Sequence, residues 1–438
     1  MKLKTKIGII SLVSIVLLAM GISIYLLVGK RDISISRVVK KASPLILKEA
    51  KEKLSKKLEP KRSSQKKFDI ILSNDLKIIK LINLTKDMKE NSILPAWSPN
   101  GESIVYYSNN NIWIVDAINF QNKKLPCKNL TKGSRCFSLL WSPNSEIIGY
   151  QEKIWKRESK EYINNIGVVD KEGGNKILVS TASLESALLS WSLENDKLLY
   201  SFNEEIWSVT MNNSSKSFLC SLKDDKLILP NQIQISKKTI SPDGKKAAFI
   251  LGAKEAYRTY DNGIWIMNID GTNKKQIVRE NIGIWESEPV LIWSSDGSKI
   301  AYIAIENGKT QIWIVNSNGT NKKVIFEADT LNTDSEWTFV PQLSFSPDGS
   351  KIAGYFYKDK DKNNEWDLSD TFDIWVIDIN RESMINLIPR VMCLEPYDTE
   401  SISYFSPLNW SPDGKKIAFV SNKEGKIDIW VAILGFQE

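Results

Sequence analysis

The sequence predicts an all-β fold: a seven-bladed β-propeller of four-stranded blades, preceded by a single N-terminal transmembrane helix and a short basic, partly helical stalk. Three observations carry this reading. A turn of the form W-S-P-D-G recurs, beginning at Trp97, Trp141, Trp191, Ile240, Trp293, Phe345 and Trp410, between 44 and 65 residues apart. Most of these turns lead to a strand ending in Ile-Trp, as at Ile112-Trp113, Ile206-Trp207, Ile264-Trp265, Ile312-Trp313, Ile374-Trp375 and Ile429-Trp430. Ahead of the first repeat stand an uncharged apolar run and then a strongly basic segment. A repeat of this length marks a solenoid or a propeller. The chain divides accordingly into a transmembrane signal-anchor (1–29), a basic stalk (30–67) and the propeller (68–438).

The run from Ile7 to Gly29 holds some 23 uncharged residues, more than a signal-peptide core and enough to cross a bilayer. Lys2, Lys4 and Lys6 precede it, as they would in either kind of segment. Cleavage after a small residue such as Gly21 is the alternative to an uncleaved anchor. The stalk carries 14 Lys or Arg against 4 Asp or Glu, a net of +10. Ser43-Pro44 has the form of a helix start, and Leu47, Ala50, Leu54 and Leu58 then fall on one helical face. That helix reads either as a membrane-surface element drawn to anionic headgroups or as a solvated spacer.

Each repeat then resolves into four strands. Strand a is the apolar stretch before the turn, such as Leu94-Pro95-Ala96-Trp97. In the turn, Pro presets φ, Asp or Asn caps locally and Gly takes the left-handed conformation. Strand b comes next, as in Lys416-Ile417-Ala418-Phe419-Val420, then strand c with the Ile-Trp pair. A second turn, Asp270-Gly271 or Asn318-Gly319, leads to strand d. Beta-branched and aromatic residues punctuated in this way argue for β structure throughout, and the turn Trp and Phe residues read as packing between blades. The last repeat stops after strand c, whereas Leu76 to Leu84 has strand d character with no a or b before it. The expected solution is that this N-terminal strand closes the last blade. Phe68-Asp69-Ile70-Ile71 also resembles a strand c, and its pairing stays open.

These turns and strands resemble the TolB-like family of WD-repeat-like propellers, over about residues 75 to 434. Departures at Ser142-Pro143-Asn144-Ser145, Ser192-Leu193-Glu194-Asn195 and Ile166-Gly167 leave blades two and three degenerate. The resemblance is to the propeller alone, without the α/β domain that precedes it in TolB. It implies a module that binds other proteins or stands before a peptidase domain, and it implies export behind an N-terminal hydrophobic segment. By contrast, Lys30, Arg31, Arg37, Lys40 and Lys41 would by the positive-inside rule hold the propeller in the cytoplasm, although long domains translocate largely regardless of such charges. The expectation is a single-pass membrane protein with an extracytoplasmic propeller.

Composition narrows the chemistry. The chain contains no histidine, which removes Ser-His-Asp and Cys-His sites and His-ligated metals. Of the overall +7, the stalk and three N-terminal lysines account for more than the whole, leaving about −6 for the propeller. Nucleic acid is therefore not an expected partner. Carboxylates alone could serve a hydrolase or lyase, but no spacing selects a pair. Cys127 and Cys136 flank a short connection and are candidates for a disulfide or for two reduced thiols; no C-x-x-C marks a zinc site. Asp359, Asp361, Asn363, Glu365, Asp367 and Asp370 have the alternate spacing of oxygen ligands for Ca²⁺. This loop resembles the hairpin calcium loops of integrin-type propellers. The leading expectation is a membrane-tethered, non-catalytic scaffold that binds a protein or peptide partner, with Tyr257, Tyr260 and Trp366 as candidate contacts. A calcium- or glycan-binding module is the alternative.

Overall fold

The computed structural model describes residues 76–118, 127–129, 136–156, 161–183, 186–192, 197–202, 205–211, 214–222, 233–253, 263–279, 290–306, 309–329, 342–358, 371–393 and 408–436. The anchor (1–29), the stalk (30–67) and the strand-like residues 68–72 lie outside them. Among the described residues no helix is long and apolar enough to cross a membrane.

Seven sheets of four antiparallel strands succeed one another along the chain, each ordered a-b-c-d. The a strands are Ser92–Trp97, Cys136–Trp141, Ser186–Trp191, Ile233–Ile240, Leu291–Trp293, Leu343–Phe345 and Asn409–Trp410. The b strands are Ser103–Ser108, Ile147–Lys156, Lys197–Phe202, Lys246–Ala253, Lys299–Glu306, Lys351–Lys358 and Lys416–Ser421. The c strands are Asn111–Asp116, Glu161–Asp170, Glu205–Thr210, Ile264–Asn268, Lys309–Asn316, Thr371–Asp378 and Asp428–Phe436. The d strands of blades one to six are Cys127–Asn129, Lys176–Ser183, Lys216–Ser221, Lys275–Val278, Lys323–Asp329 and Ser383–Cys393.

Every a strand touches the a strands of its two neighbours, and blade seven touches blade one, so the a strands form a closed inner ring. The architecture is a seven-bladed propeller. Blade seven takes its d strand from the other end of the chain. Leu76–Asn83 runs antiparallel to Asp428–Phe436, from Leu76 opposite Phe436 to Asn83 opposite Trp430. Antiparallel order also sorts the connections: a–b and c–d turns lie at one end of the propeller, and b–c and d–a connections lie at the other.

The W-S-P-D-G turn is a closed hydrogen-bond unit. In all seven blades the Ser Oγ accepts the N–H of the first residue of strand b, at 2.9 to 3.2 Å. Where Asp or Asn stands two residues later, the same hydroxyl donates to its Oδ1 at 2.5 to 2.7 Å. That Oδ1 also accepts a backbone N–H two residues further on, as from Lys245 at 3.0 Å. Gly244, Gly297, Gly349 and Gly414 sit at φ between 66 and 70°, a conformation that costs other residues a steric clash. In blade two Ser145 holds φ 62° in the same place, and its Oγ accepts the N–H of Asn100 from blade one at 3.1 Å. Blade two thus keeps the turn lock, blade three keeps the bond from Lys197 to Ser192, and both form complete four-stranded sheets.

The turn tryptophans pack between blades as expected and also join them by hydrogen bonds. Trp141 Nε1 donates to the carbonyl of Ala96, Trp191 Nε1 to that of Leu140 and Trp410 Nε1 to that of Ser344, at 3.0, 3.2 and 3.3 Å. Each acceptor immediately precedes the turn aromatic of the preceding blade. On the a strand, at the inner edge of its sheet, the ladder leaves such a carbonyl without a partner, and the neighbouring indole supplies it.

A second aromatic set lies where strands b and c face each other. Tyr106 opposes Trp113, Tyr200 opposes Trp207, Phe249 opposes Trp265, Tyr302 opposes Trp313 and Phe419 opposes Trp430. Two blades keep only one ring. Tyr150 faces Gly167 in blade two, and Trp375 faces Gly354 in blade six. A Cβ on Gly167 would overlap the Tyr150 hydroxyl, and one on Gly354 would lie 2.9 Å from Leu343. The missing Trp of blade two is therefore compensated by its opposing tyrosine.

Replacing Trp141 by Phe removes a buried donor and strands the Ala96 carbonyl, whereas Trp293→Phe removes an indole N–H with no hydrogen bond of its own. Both lose the same ring area, so Trp141→Phe is expected to cost about 1 kcal/mol more, measured as a shift in urea midpoint. A second outcome concerns acid. Hydrogen bonds from Ser294 and Ser298 hold the Asp296 carboxyl at about 2 against an ordinary 3.8. Asp348 is likewise held at about 2: partial burial opposes ionisation, and bonds from Ser346 and Ser350 outweigh it. A lowered folded-state value means that the native state binds fewer protons, so this stabilisation is present above about pH 4 and lost as pH falls toward about 2. The double variant Asp296→Asn, Asp348→Asn should flatten the fall in urea midpoint over that interval with little loss at neutral pH, because Asn100 and Asn144 already occupy this turn position.

Candidate functional site

The longest connections belong to the b–c and d–a end, so this face is the candidate site, and the residues that build its rim start strand c. In blades three and five the residue two before Trp is long. Glu205 Oε2 accepts from Trp207 Nε1 at 2.9 Å, and Gln311 Oε1 accepts from Trp313 Nε1 at 3.0 Å. Gln311 also donates to Glu327 Oε2 at 2.6 Å, and Glu327 is paired with Lys309 at 2.5 Å. Blades six and seven place the shorter Asp373 and Asp428 at this position, and the carboxylates turn to strand d instead.

Asp373 is buried, accepting from Asn386 Nδ2 at 2.8 Å and from the Arg390 N–H at 2.7 Å. Asp428 is 2% exposed and joins the two chain ends. It accepts from the Thr85 hydroxyl at 2.9 Å and from Asn83 Nδ2 at 3.0 Å, and Lys426 pairs with it. Thr85 Oγ1 in turn accepts the N–H of Ile429 at 2.9 Å. These are charge-assisted bonds within a largely water-free corner, where a lost partner is costly.

Blade two carries a different row. Cys136, Glu152 and Asn165 stand opposite one another across strands a, b and c, all buried, and Asn165 Nδ2 donates to Glu152 Oε1 at 3.1 Å. Gln151 reaches into blade three, donating to the Ser186 carbonyl at 2.9 Å and accepting the Leu188 N–H at 3.2 Å. Burial pushes the Cys136 thiol up to about 12, and burial and Asp270 push the Cys220 thiol up to about 11. Both stay protonated at neutral pH, the state in which a thiol is a poor nucleophile.

Of the residues singled out in the sequence, Asp359, Asp361, Asn363, Glu365, Asp367, Asp370, Tyr257, Tyr260 and Trp366 lie outside the described residues. Cys136 is a free thiol whose Sγ donates to the Ser138 carbonyl at 3.2 Å, and the Cys127 side chain lies outside the described residues. Among the described residues no group of three Cys, Asp or Glu side chains comes together to hold a metal ion. Asp373 and Asp428 are structural corners that the sequence did not single out. Their signal is the first letter of D-I-W, which reads as part of a strand until the partner strand d is known.

Residues 244–435 match the model of the TolB beta propeller domain. Over these residues the propeller is TolB-like. An alignment 216 positions long, 29% identical to dipeptidyl-peptidase 5 of Porphyromonas gingivalis, covers 44% of this chain and 30% of that relative's length. Among solved structures, an oligogalacturonate lyase in complex with manganese superposes with a TM-score of 0.57 at 14% identity, covering 82% of this chain and 95% of that one. The oligogalacturonate lyase of Vibrio parahaemolyticus gives 0.54 at 14% identity, covering 82% and 98%. The Cps50 (Swd1) propeller of Myceliophteria thermophila gives 0.51 at 12%, covering 81% and 99%. Such different proteins share the ring and little sequence, so the likeness speaks for the fold.

Asp428→Ala would leave Thr85, Asn83 and Lys426 without their common acceptor and detach the chain ends from each other. The expected loss is about 3 kcal/mol in denaturant unfolding. Glu205→Ala, which frees one indole N–H at a half-exposed corner, should lose no more than about 1 kcal/mol in the same measurement.

Proposed function

We propose that the chain is a membrane-tethered, non-catalytic TolB-like scaffold whose b–c and d–a face binds a protein or peptide partner, with residues 7–29 as the anchor. The observation that carries this reading is the commitment of the buried groups at that face. Asp373, Asp428 and Glu152 are each engaged within their own blade or at the ring closure, and the described thiols are buried and protonated. The rim therefore offers a rigid support rather than an acid–base pair facing an open cleft. The absence of histidine from the chain favours the same reading. The activities of the relatives stay with the relatives, since the matched stretch spans under a third of dipeptidyl-peptidase 5.

The test is affinity purification of the full chain from detergent-solubilised membranes, alongside a variant with Tyr257, Tyr260 and Trp366 changed to Ala. A partner held by the parent and lost by the variant is the expected result. A partner held equally by both would remove these residues from the interface. Turnover of oligogalacturonate or of a dipeptidyl substrate by the purified chain would overturn the non-catalytic reading.

A further inference from the structure

The a–b turns at one end of the propeller keep one length and one hydrogen-bond pattern while their charge changes from blade to blade. Directly after the turn glycine, or its substitute, stand Glu102 and Glu146 in blades one and two, Lys245 in blade four, Ser298 and Ser350 in blades five and six, and Lys415 in blade seven. All six donate their backbone N–H to the turn Asp or Asn, at 2.9 to 3.2 Å. The lock is the same with Glu, Ser or Lys, so the lysines are not required by the turn. The c–d turns of blades four and five repeat the theme with Lys274-Lys275 and Lys322-Lys323.

Charge is sorted around the ring as a result. From blade four to blade seven, these turns and their flanking strand residues hold 11 Lys or Arg against 7 Asp or Glu, a net of +4, within a propeller that is negative as a whole. In blades one to three the described residues of the same turns hold 4 against 5. Asp243, Asp296, Asp348 and Asp413 are short side chains bound back into their turns by Ser and backbone N–H groups. Lys245, Lys275, Lys322 and Lys415 are exposed; Lys275 Nζ donates to the Asn318 carbonyl at 3.3 Å and Lys322 Nζ lies 4.3 Å from the centre of the Trp313 ring.

The first described strand also begins at this end. Leu76, the first described residue, pairs with Phe436 at the c–d end of blade seven, inside the basic sector. We propose that the a–b and c–d face of blades four to seven docks on an anionic lipid surface, leaving the b–c and d–a face directed away from the membrane. The inference rests on the tether read from residues 7–29. A tether holds the face at high local concentration, so a modest excess of lysines suffices for docking. It deepens the scaffold reading by giving the partner-binding face its direction.

The experiment uses the full chain in lipid nanodiscs, made of phosphatidylcholine alone or mixed with phosphatidylglycerol. Lysine acylation is read residue by residue by mass spectrometry. Labelling of Lys245, Lys275, Lys322 and Lys415 should fall about fivefold in the anionic discs and recover in high salt. Lys89 and Lys423, at the other end, should be unchanged. The variant Lys245→Ser, Lys415→Ser copies the residues of blades five and six, so it should fold, and it should lose the protection of Lys275 and Lys322. Equal labelling in both discs, protection of Lys423 instead, or unaltered protection in the variant would overturn the proposal. So would protection by soluble heparin without protection by anionic lipid. Alkaline extraction of native membranes tests the anchor separately. Should it release the chain, the tether fails, and flotation of the soluble chain with anionic but not neutral vesicles still decides the face.

Discussion

Everything in this molecule depends on closing the ring. Four-stranded sheets packed face to face each need two neighbours, and an open series of seven would leave two large apolar faces in water. The closure is made by pairing the first described strand, Leu76–Asn83, with the last, Asp428–Phe436. Buried around that seam are Leu76, Leu84, Ile429, Val431 and Leu434, in one cluster with blades one, six and seven. Apolar burial gives the seam its strength but little direction, because a slip of the pairing would still bury much of the surface. Asp428 adds the direction: its carboxylate accepts from Asn83 and Thr85 of one chain end while its own strand belongs to the other. A shifted register would leave that charge buried without partners.

The same division between adhesion and register runs through the repeat. Tyr, Phe and Trp fill the space between blades, yet rings alone slide easily. The indole N–H of Trp141, Trp191 or Trp410, bonded to one carbonyl of the preceding blade, fixes where each ring rests. The Ser–Asp lock does this for the turn, closing five residues into a unit that tolerates Asn for Asp and Ser145 for Gly. Because the lock is self-contained, the neighbouring positions are released from structural duty, and their charges can differ from blade to blade.

Much of this was legible in the sequence, for a physical reason. Turn glycines, the Ile-Trp strand and the unmatched Leu76 to Leu84 are local signals, and seven near-copies of a local signal determine a ring without knowledge of any contact. What could not be read were relations between copies. Nothing in Trp141 announces the carbonyl of Ala96, and nothing in Gly167 announces that Tyr150 fills its space. The corner roles of Glu205 and Gln311 against Asp373 and Asp428 are a matter of side-chain length relative to a strand 13 or more positions distant, or at the far end of the chain. The acidic stretch 359–370 and the aromatic residues of the long connections belong to segments without a repeat, where sequence gives composition and spacing but no template.

The two ends of the propeller therefore answer to different constraints. In the a–b turns, backbone geometry is nearly invariant while the outward charge is free, so differences between blades there are electrostatic. At the b–c and d–a end, the short acids spend their hydrogen-bonding capacity on holding strand d. That leaves the corners held on both sides, with connections of different length joining them. A rigid base with variable connections suits selective binding, because little ordering of the base is lost on association. The corner bonds that complete the fold thus also fix the base on which those connections stand.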